Sequence, residues 1–261
     1  MTELIALLTD FTELAQDALR NAMLVFLRIG AAMALLPAFG EQSVPQRVRL
    51  VLALAFTAIV FPAVADHLTG AMVQGGLPRV MVTETVAGLV IGIGLRLFVM
   101  VLQIAGTMAA QASSLAQLYA GAGAEPQPAM SHLFTMAGLA IAVAAGLHVQ
   151  AAKLFILSYD LMPAGRLIPA ADATAWGVGR IARAFGLAFT LATPFVIAAT
   201  IYNVALGVIN RAMPQLMVVF VGAPALTLGG LVLLAVATPA LLLVWLAALH
   251  GFVADPMGTG P

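Results

Sequence analysis

The sequence has no cysteine and very little charge. Its 261 residues hold 11 basic and 11 acidic side chains, so only 8% are charged and the formal net charge is zero. A soluble domain carries about 25% charged residues. Without cysteine there are no disulfides, thiol nucleophiles or Cys-based metal sites. Without surface charge an ordinary soluble globular fold cannot be covered. Disorder is excluded as well, because it needs low hydrophobicity and high charge. There is no basic excess and no basic stripe, which argues against nucleic acid as a partner. What is abundant is apolar: 62% hydrophobic residues and a mean hydropathy of +1.07. The expected class is an all-α, polytopic membrane protein.

The first twenty residues read as an amphipathic helix and not as a signal peptide. Glu3, Asp10, Glu13 and Asp17 replace the positive start of a signal sequence. Leu4, Leu7, Leu8, Phe11, Leu14 and Ala18 recur at helical spacing, with Thr2 as a cap. Spanning the hydrocarbon takes about 20 helical residues, and about six apolar segments approach that length. They are Ala22–Phe39, Leu50–Ala65, Val80–Ala110, Leu133–Leu157, Ala184–Ile209 and Leu216–Leu249. The last is long enough for one tilted helix or two shorter ones. The longest loop is expected at Ser158–Arg183, which holds Pro163, Gly165 and Pro169. The segments make poor lipid spans, because Arg28, Glu84 and Arg96 sit inside apolar runs. A charge at the centre of a lipid-facing helix costs about 3 kcal/mol. These side chains are expected to face protein, water or one another. Glu84 and Arg96 lie twelve residues apart, about 18 Å along a helix, so they cannot pair directly.

No constellation of catalytic residues emerges. The four histidines, His67, His132, His148 and His250, are never spaced as metal ligands, and HExxH, GxSxG and phosphate-binding loops are absent. No catalytic residue, metal or cofactor is therefore expected. Gly88, Gly92 and Gly94 form a small-residue pattern that reads as close helix packing, since no βαβ context surrounds it. A proton relay through Glu84 competes with structural pairing, which accounts for an intramembrane charge equally well.

Three stretches in series carry a family likeness. Arg28–Leu50, RIGAAMALLPAFGEQSVPQRVRL, joins an Arg-led apolar helix through a Pro-x-Phe-Gly turn to a Pro and basic residues. Gly106–Gly165 contains a glycine-rich loop, the Glu125–Pro126 pair, Gly146-x-His148 and the closing LMPAG. Leu206–Gly222, LGVINRAMPQLMVVFVG, holds an Arg-x-x-Pro-Gln turn. Together they resemble the FliR/SctT family of type III export-gate proteins over nearly the whole chain. Glu125 stands where that pattern has Asp, and Leu216–Met217 replace a more polar pair.

The resemblance implies a non-enzymatic subunit that joins FliP-like and FliQ-like subunits in a helical gate passing unfolded protein substrates. FlhB-like and FlhA-like components and membrane lipid are further implied partners. The implied site is the bacterial inner membrane, in a flagellar basal body or injectisome. Residues 1–183 correspond to a FliP-like part with a plug-like loop at 113–131. Residues 184–261 correspond to a FliQ-like hairpin, tipped at Arg211–Gln215, and a tail. Gly121, Gly123, Glu125 and Pro126 are the implied plug residues. Arg28, Arg49, Glu84, Arg96, Arg211 and Gln215 are candidates for subunit interfaces or buried charges. The rival readings are a secondary transporter of a small solute, whose expected half-to-half repeat is not visible, and an intramembrane enzyme, whose nucleophile and base are not visible.

Overall fold

The computed structural model describes residues 2–41, 43–68, 71–113, 129–213 and 218–258. These residues form seven helices and no strand. They are α1 (Thr2–Met33), α2 (Gln46–Leu68), α3 (Ala71–Ser113), α4 (Ala129–Ala144), α5 (Leu147–Leu161), α6 (Ala170–Ala212) and α7 (Val218–Ala254). The expected plug residues Gly121, Gly123, Glu125 and Pro126, and the hairpin-tip residue Gln215, lie outside the described residues.

Several boundaries differ from those read off the sequence. Four helical stretches are long and apolar enough to cross a membrane, not about six: Gln46–Leu68, Gly76–Ala112, Ala170–Ala212 and Leu228–Ala254. A broken pair, α4 with α5, would make a fifth. The segment expected at Ala22–Phe39 is the end of α1, which also absorbs the amphipathic stretch before it and stops at Met33. Pro37 keeps the chain from continuing as helix, and Ala38 turns it with φ 65. Gly40 completes the turn, where a Cβ would lie 2.7 Å from the Ala34 carbonyl oxygen.

The single segment expected at Leu133–Leu157 is broken at Gly146, which has φ 82 and caps the start of α5. The Gly146→Ala change isolates backbone strain, because an added Cβ would meet nothing within 4 Å. It should cost about 1 kcal/mol, read as a small drop in the melting midpoint. The loop expected at Ser158–Arg183 is shorter than that, since α6 begins at Ala170. The turn-forming Pro163, Gly165 and Pro169 cluster before residue 170. Beyond them Ala170, Ala171, Ala173 and Ala175 are strong helix formers. The last apolar segment is one helix, α7, despite Pro224 and Pro239.

Threonines are hidden within these apolar helices by bonding to their own backbone. Thr57, Thr85, Thr107, Thr135, Thr190, Thr193 and Thr200 each donate a hydroxyl to the carbonyl four residues earlier. This satisfies the polar group without a partner helix.

The described chain divides into two compact units, each discontinuous in sequence. One comprises Met1–Arg96, Gly146–Trp176 and Phe252–Pro261; the other comprises Leu97–Ala145 and Gly177–Gly251. In the first unit Phe39, Phe56 and Phe155 stack edge to face, linking the α1–α2 turn, α2 and α5. In the second unit the Trp245 indole donates to the Phe98 carbonyl at 2.9 Å and Phe134 meets Phe195 edge on. The α3–α4 contact there is close at Gly106, whose Cβ would collide with the Ser131 backbone. The fold is that of an all-α polytopic membrane protein.

Candidate functional site

The most elaborate polar arrangement lies in the first unit, around Arg28. This arginine is fully buried in α1, and Glu84 is fully buried in α3. Their side chains meet as a two-pronged fork. Arg28 Nε donates to Glu84 Oε2 at 2.8 Å and Nη2 donates to Oε1 at 3.0 Å. Nη1 donates to Ser158 Oγ at 3.0 Å and Nη2 also donates to the Met162 carbonyl at 2.9 Å. Four of the five guanidinium donors are thus engaged. The Arg28 Cζ lies 3.7 Å from the centre of the Tyr159 ring, a cation–π contact in a water-poor setting.

Local sequence explains why α5 offers these groups. Pro163 pushes the preceding residue out of the helical region, so Met162 has φ −130 and ends the helix. Its carbonyl is one of the C-terminal acceptors that a helix leaves unfilled. A cation placed there is also favoured by the helix dipole. Ser158 donates its own proton to the Phe155 carbonyl at 2.6 Å while it accepts from Arg28. The hydroxyl is therefore committed to a carbonyl and not to a base. The arrangement is a pin between three helices, with the charge of each partner matched.

Close helix approach makes the pin possible. Glu84, Gly88, Gly92 and Arg96 recur every four residues along α3, which places them in one slanting row. A Cβ on Gly88 would strike the Arg28 carbonyl oxygen and lie 3.0 Å from the Ala31 Cβ. One on Gly92 would lie 3.0 Å from the Ala32 carbonyl oxygen. The glycines let the α3 backbone rest on α1, as in small-residue packing of membrane helices. At the far end of the row Arg96 Nη1 donates to Glu41 Oε1 at 2.6 Å. The Glu41 backbone carbonyl accepts from Arg49 Nη2 at 3.0 Å. Two ion pairs therefore bracket a glycine-lined contact.

Of the residues singled out from sequence, Arg28 and Glu84 come together, and Arg49 and Arg96 converge on Glu41. Arg211 is exposed at the end of α6 and joins neither group. Glu41, Ser158, Tyr159 and Met162 complete the two groups, and sequence reasoning assigned them no role. The signal for the α5 residues was the LMPAG stretch, whose proline forces the exposed carbonyl. Among the described residues no three His, Asp or Glu side chains converge as a metal site would require.

Elsewhere in the first unit a groove of about 430 Å³ runs between α1, α2 and α3. In the second unit α6 and α7 line an apolar groove of about 550 Å³. Much of the apolar surface is uncovered. An 18-residue window in the spanning stretch of α7 is only 17% buried, and the corresponding windows of α2 and α6 are 28% buried.

The family of bacterial export proteins, family 1, matches residues 19–252. A flagellar biosynthetic protein FliR of Caulobacter vibrioides is 33% identical over 228 residues, covering 86% of this chain and 90% of that protein. A flagellar biosynthetic protein FliR of Pectobacterium carotovorum subsp. carotovorum is 25% identical over 211 residues, covering 78% and 79%. The matched range takes in both ion pairs, the glycine row and the uncovered helices. The chain belongs to the bacterial export proteins of family 1, the FliR/SctT family of type III export proteins.

Proposed function

We propose that the chain is a non-enzymatic core subunit of a flagellar type III export gate in the inner membrane. In this reading it assembles with FliP-like and FliQ-like subunits into a channel for unfolded substrates, with FlhB-like and FlhA-like components alongside. The observation that carries the proposal is the uncovered apolar surface on helices that contain prolines. Within Leu228–Ala254 an 18-residue window has a mean hydropathy of 2.5 and is 17% buried. Exposed apolar surface of this extent marks a membrane or subunit interface. The FliR names of both relatives favour the flagellar system.

Residues 1–183 serve as the FliP-like part and residues 184–261 as the FliQ-like hairpin and tail. Arg211, exposed at the end of α6, faces a neighbouring subunit, and Gln215 is a further candidate for that interface. Arg211→Glu is expected to reduce recovery of the assembled gate without unfolding the chain. Normal assembly of the variant would make Arg211 a solvated charge.

Of the expected loop 113–131, Ser113 belongs to α3 and Ala129–Ser131 to α4, so residues 114–128 act as the closing loop. Glycines at 121 and 123 permit tight packing and rearrangement, and Pro126 and Pro128 prevent helix formation. Deleting about half of this loop should leave the gate assembled while raising ion conductance across the membrane. Conductance equal to that of the intact gate would remove the closing role.

A further inference from the structure

We propose that the first half of α1 docks a basic amphipathic helix of another protein chain, in coiled-coil fashion. α1 is one helix over Thr2–Met33, yet its two halves have different surroundings. Leu24, Val25, Arg28, Ile29 and Ala32 are fully buried, whereas Leu4, Phe11, Leu14 and Leu19 are 64–74% exposed. Every residue from Phe11 to Arg20 is exposed. Helices in proteins draw most of their stability from packing an amphipathic face, and along Phe11–Arg20 that face is open.

The spacing fits a helix as occupant. Leu4, Leu7, Phe11, Leu14 and Ala18 alternate steps of three and four residues, the pattern of a coiled-coil seam. Glu3, Asp10 and Asp17 recur every seven residues, each just before a seam residue. They therefore share one flanking register position, while Leu8 and Ala15 hold the other. Charges at these flanking positions select the partner. At the foot of the stripe Leu14 and Ala18 share a groove of about 340 Å³ with Phe61 and Ala65 of α2. Asp17, Arg20 and Asp66 line it too. Asp17 bonds Arg20 one turn on, which leaves the stretch acidic: Glu3–Arg20 holds four acids and one base.

That charge decides between occupants. A helix lying on a membrane carries Lys and Arg on its polar face and is drawn to anionic lipid; an acidic one is repelled. A second copy paired antiparallel would set the acidic edge against its own kind. Paired parallel, it would set that edge against Leu8 and Ala15. The segments of this chain outside the described residues hold no Lys or Arg. A helix of another chain, with an apolar seam and Lys or Arg along the facing edge, matches both the stripe and the charge. The surface calls for such a partner whether or not the chain serves in an export gate.

The test uses the full chain in lipid nanodiscs. The sequence has no cysteine, so Phe11→Cys places a single fluorophore on the stripe. The fluorophore should be open to acrylamide quenching in discs of phosphatidylcholine, alone or mixed with phosphatidylglycerol. Excess unlabelled chain in separate discs should leave it open. Two 21-residue synthetic helices are then added to the phosphatidylcholine discs. Both carry leucine along the seam, and one has lysine and the other glutamate at both flanking positions. The lysine peptide should shield the fluorophore and bind at least tenfold more tightly than the glutamate peptide. Glu3→Lys, Asp10→Lys and Asp17→Lys together should invert that preference, and Leu14→Asp should weaken both peptides. If the triple variant does not fold, Asp10→Lys alone should lower the preference at least threefold. Shielding before any peptide is added means that lipid or the chain itself covers the stripe, and shielding by unlabelled chain means a second copy does; either overturns the proposal. So does a lysine peptide that fails to bind, equal binding of the two peptides, or a preference that charge reversal leaves unchanged.

Discussion

Glu84→Ala is expected to destabilise the chain by about 3–5 kcal/mol, the range for removing one partner of a buried ion pair. The change strands the Arg28 guanidinium in a fully buried position. Ser158 and the Met162 carbonyl stay within reach of it, but neither carries a compensating charge. Water cannot replace the carboxylate without opening the α1–α3 contact. Glu84→Gln keeps an acceptor and the shape, so its cost should be smaller. The informative comparison is the double change Arg28→Met with Glu84→Leu. Replacing a buried pair by apolar residues of similar volume is often neutral, so the double variant should recover much of the loss. Melting of the purified wild type, single and double variants checks this. A Glu84→Ala variant as stable as the wild type would show that the pin contributes little.

Gly88→Ala is expected to be the most damaging of the glycine-to-alanine changes in the first unit's helices. Overpacking a closed contact costs about 1–3 kcal/mol, and occasionally more. Here the added methyl meets the Arg28 carbonyl oxygen, which is backbone, together with the Ala31 Cβ at 3.0 Å. No flexible side chain can move aside, so α1 and α3 must separate. The separation falls one turn from Glu84 and loosens the pin as well. Gly88→Ala and Glu84→Ala should therefore combine to less than the sum of their separate costs. Gly92→Ala, with its nearest atom at 3.0 Å, should be milder. Gly186→Ala meets nothing within 4 Å in the middle of α6. It should be neutral or raise stability by about 0.5–1 kcal/mol, because alanine is the better helix former. The ranking is read by melting the three glycine variants side by side. A Gly88→Ala variant that melts with Gly186→Ala would contradict the close contact.

The sequence made some of this architecture legible and hid the rest for identifiable reasons. The all-α membrane class follows from composition, since 8% charge cannot cover a soluble surface. The rule that an intramembrane charge needs a partner pointed to Arg28, Glu84 and Arg96. Helix geometry alone ruled out a Glu84–Arg96 pair. Which acid each arginine meets was not legible, because Arg28 and Glu84 lie 56 residues apart in sequence and Glu41 and Arg96 lie 55 apart. Such pairs are set by how α1 rests on α3, and the glycines that allow it read equally well as packing against any helix. Ser158 and Met162 were hidden for a related reason. Their role arises where α5 ends; Pro163 marks that end, but nothing in the sequence says that Arg28, 130 residues or more away, meets it. The onset of α6 at Ala170 was missed because three turn formers within 163–169 made the stretch to residue 183 read as loop. The break at Gly146 was missed because apolar residues flank it on both sides and hydropathy does not register a positive φ.

The most direct test of the export-gate account is isolation of the tagged protein from its native membrane in mild detergent, followed by mass spectrometry of the intact complex. The account predicts co-purification with several copies of FliP-like and FliQ-like subunits. A lone monomer or homodimer, recovered from membranes that contain those subunits, would contradict it.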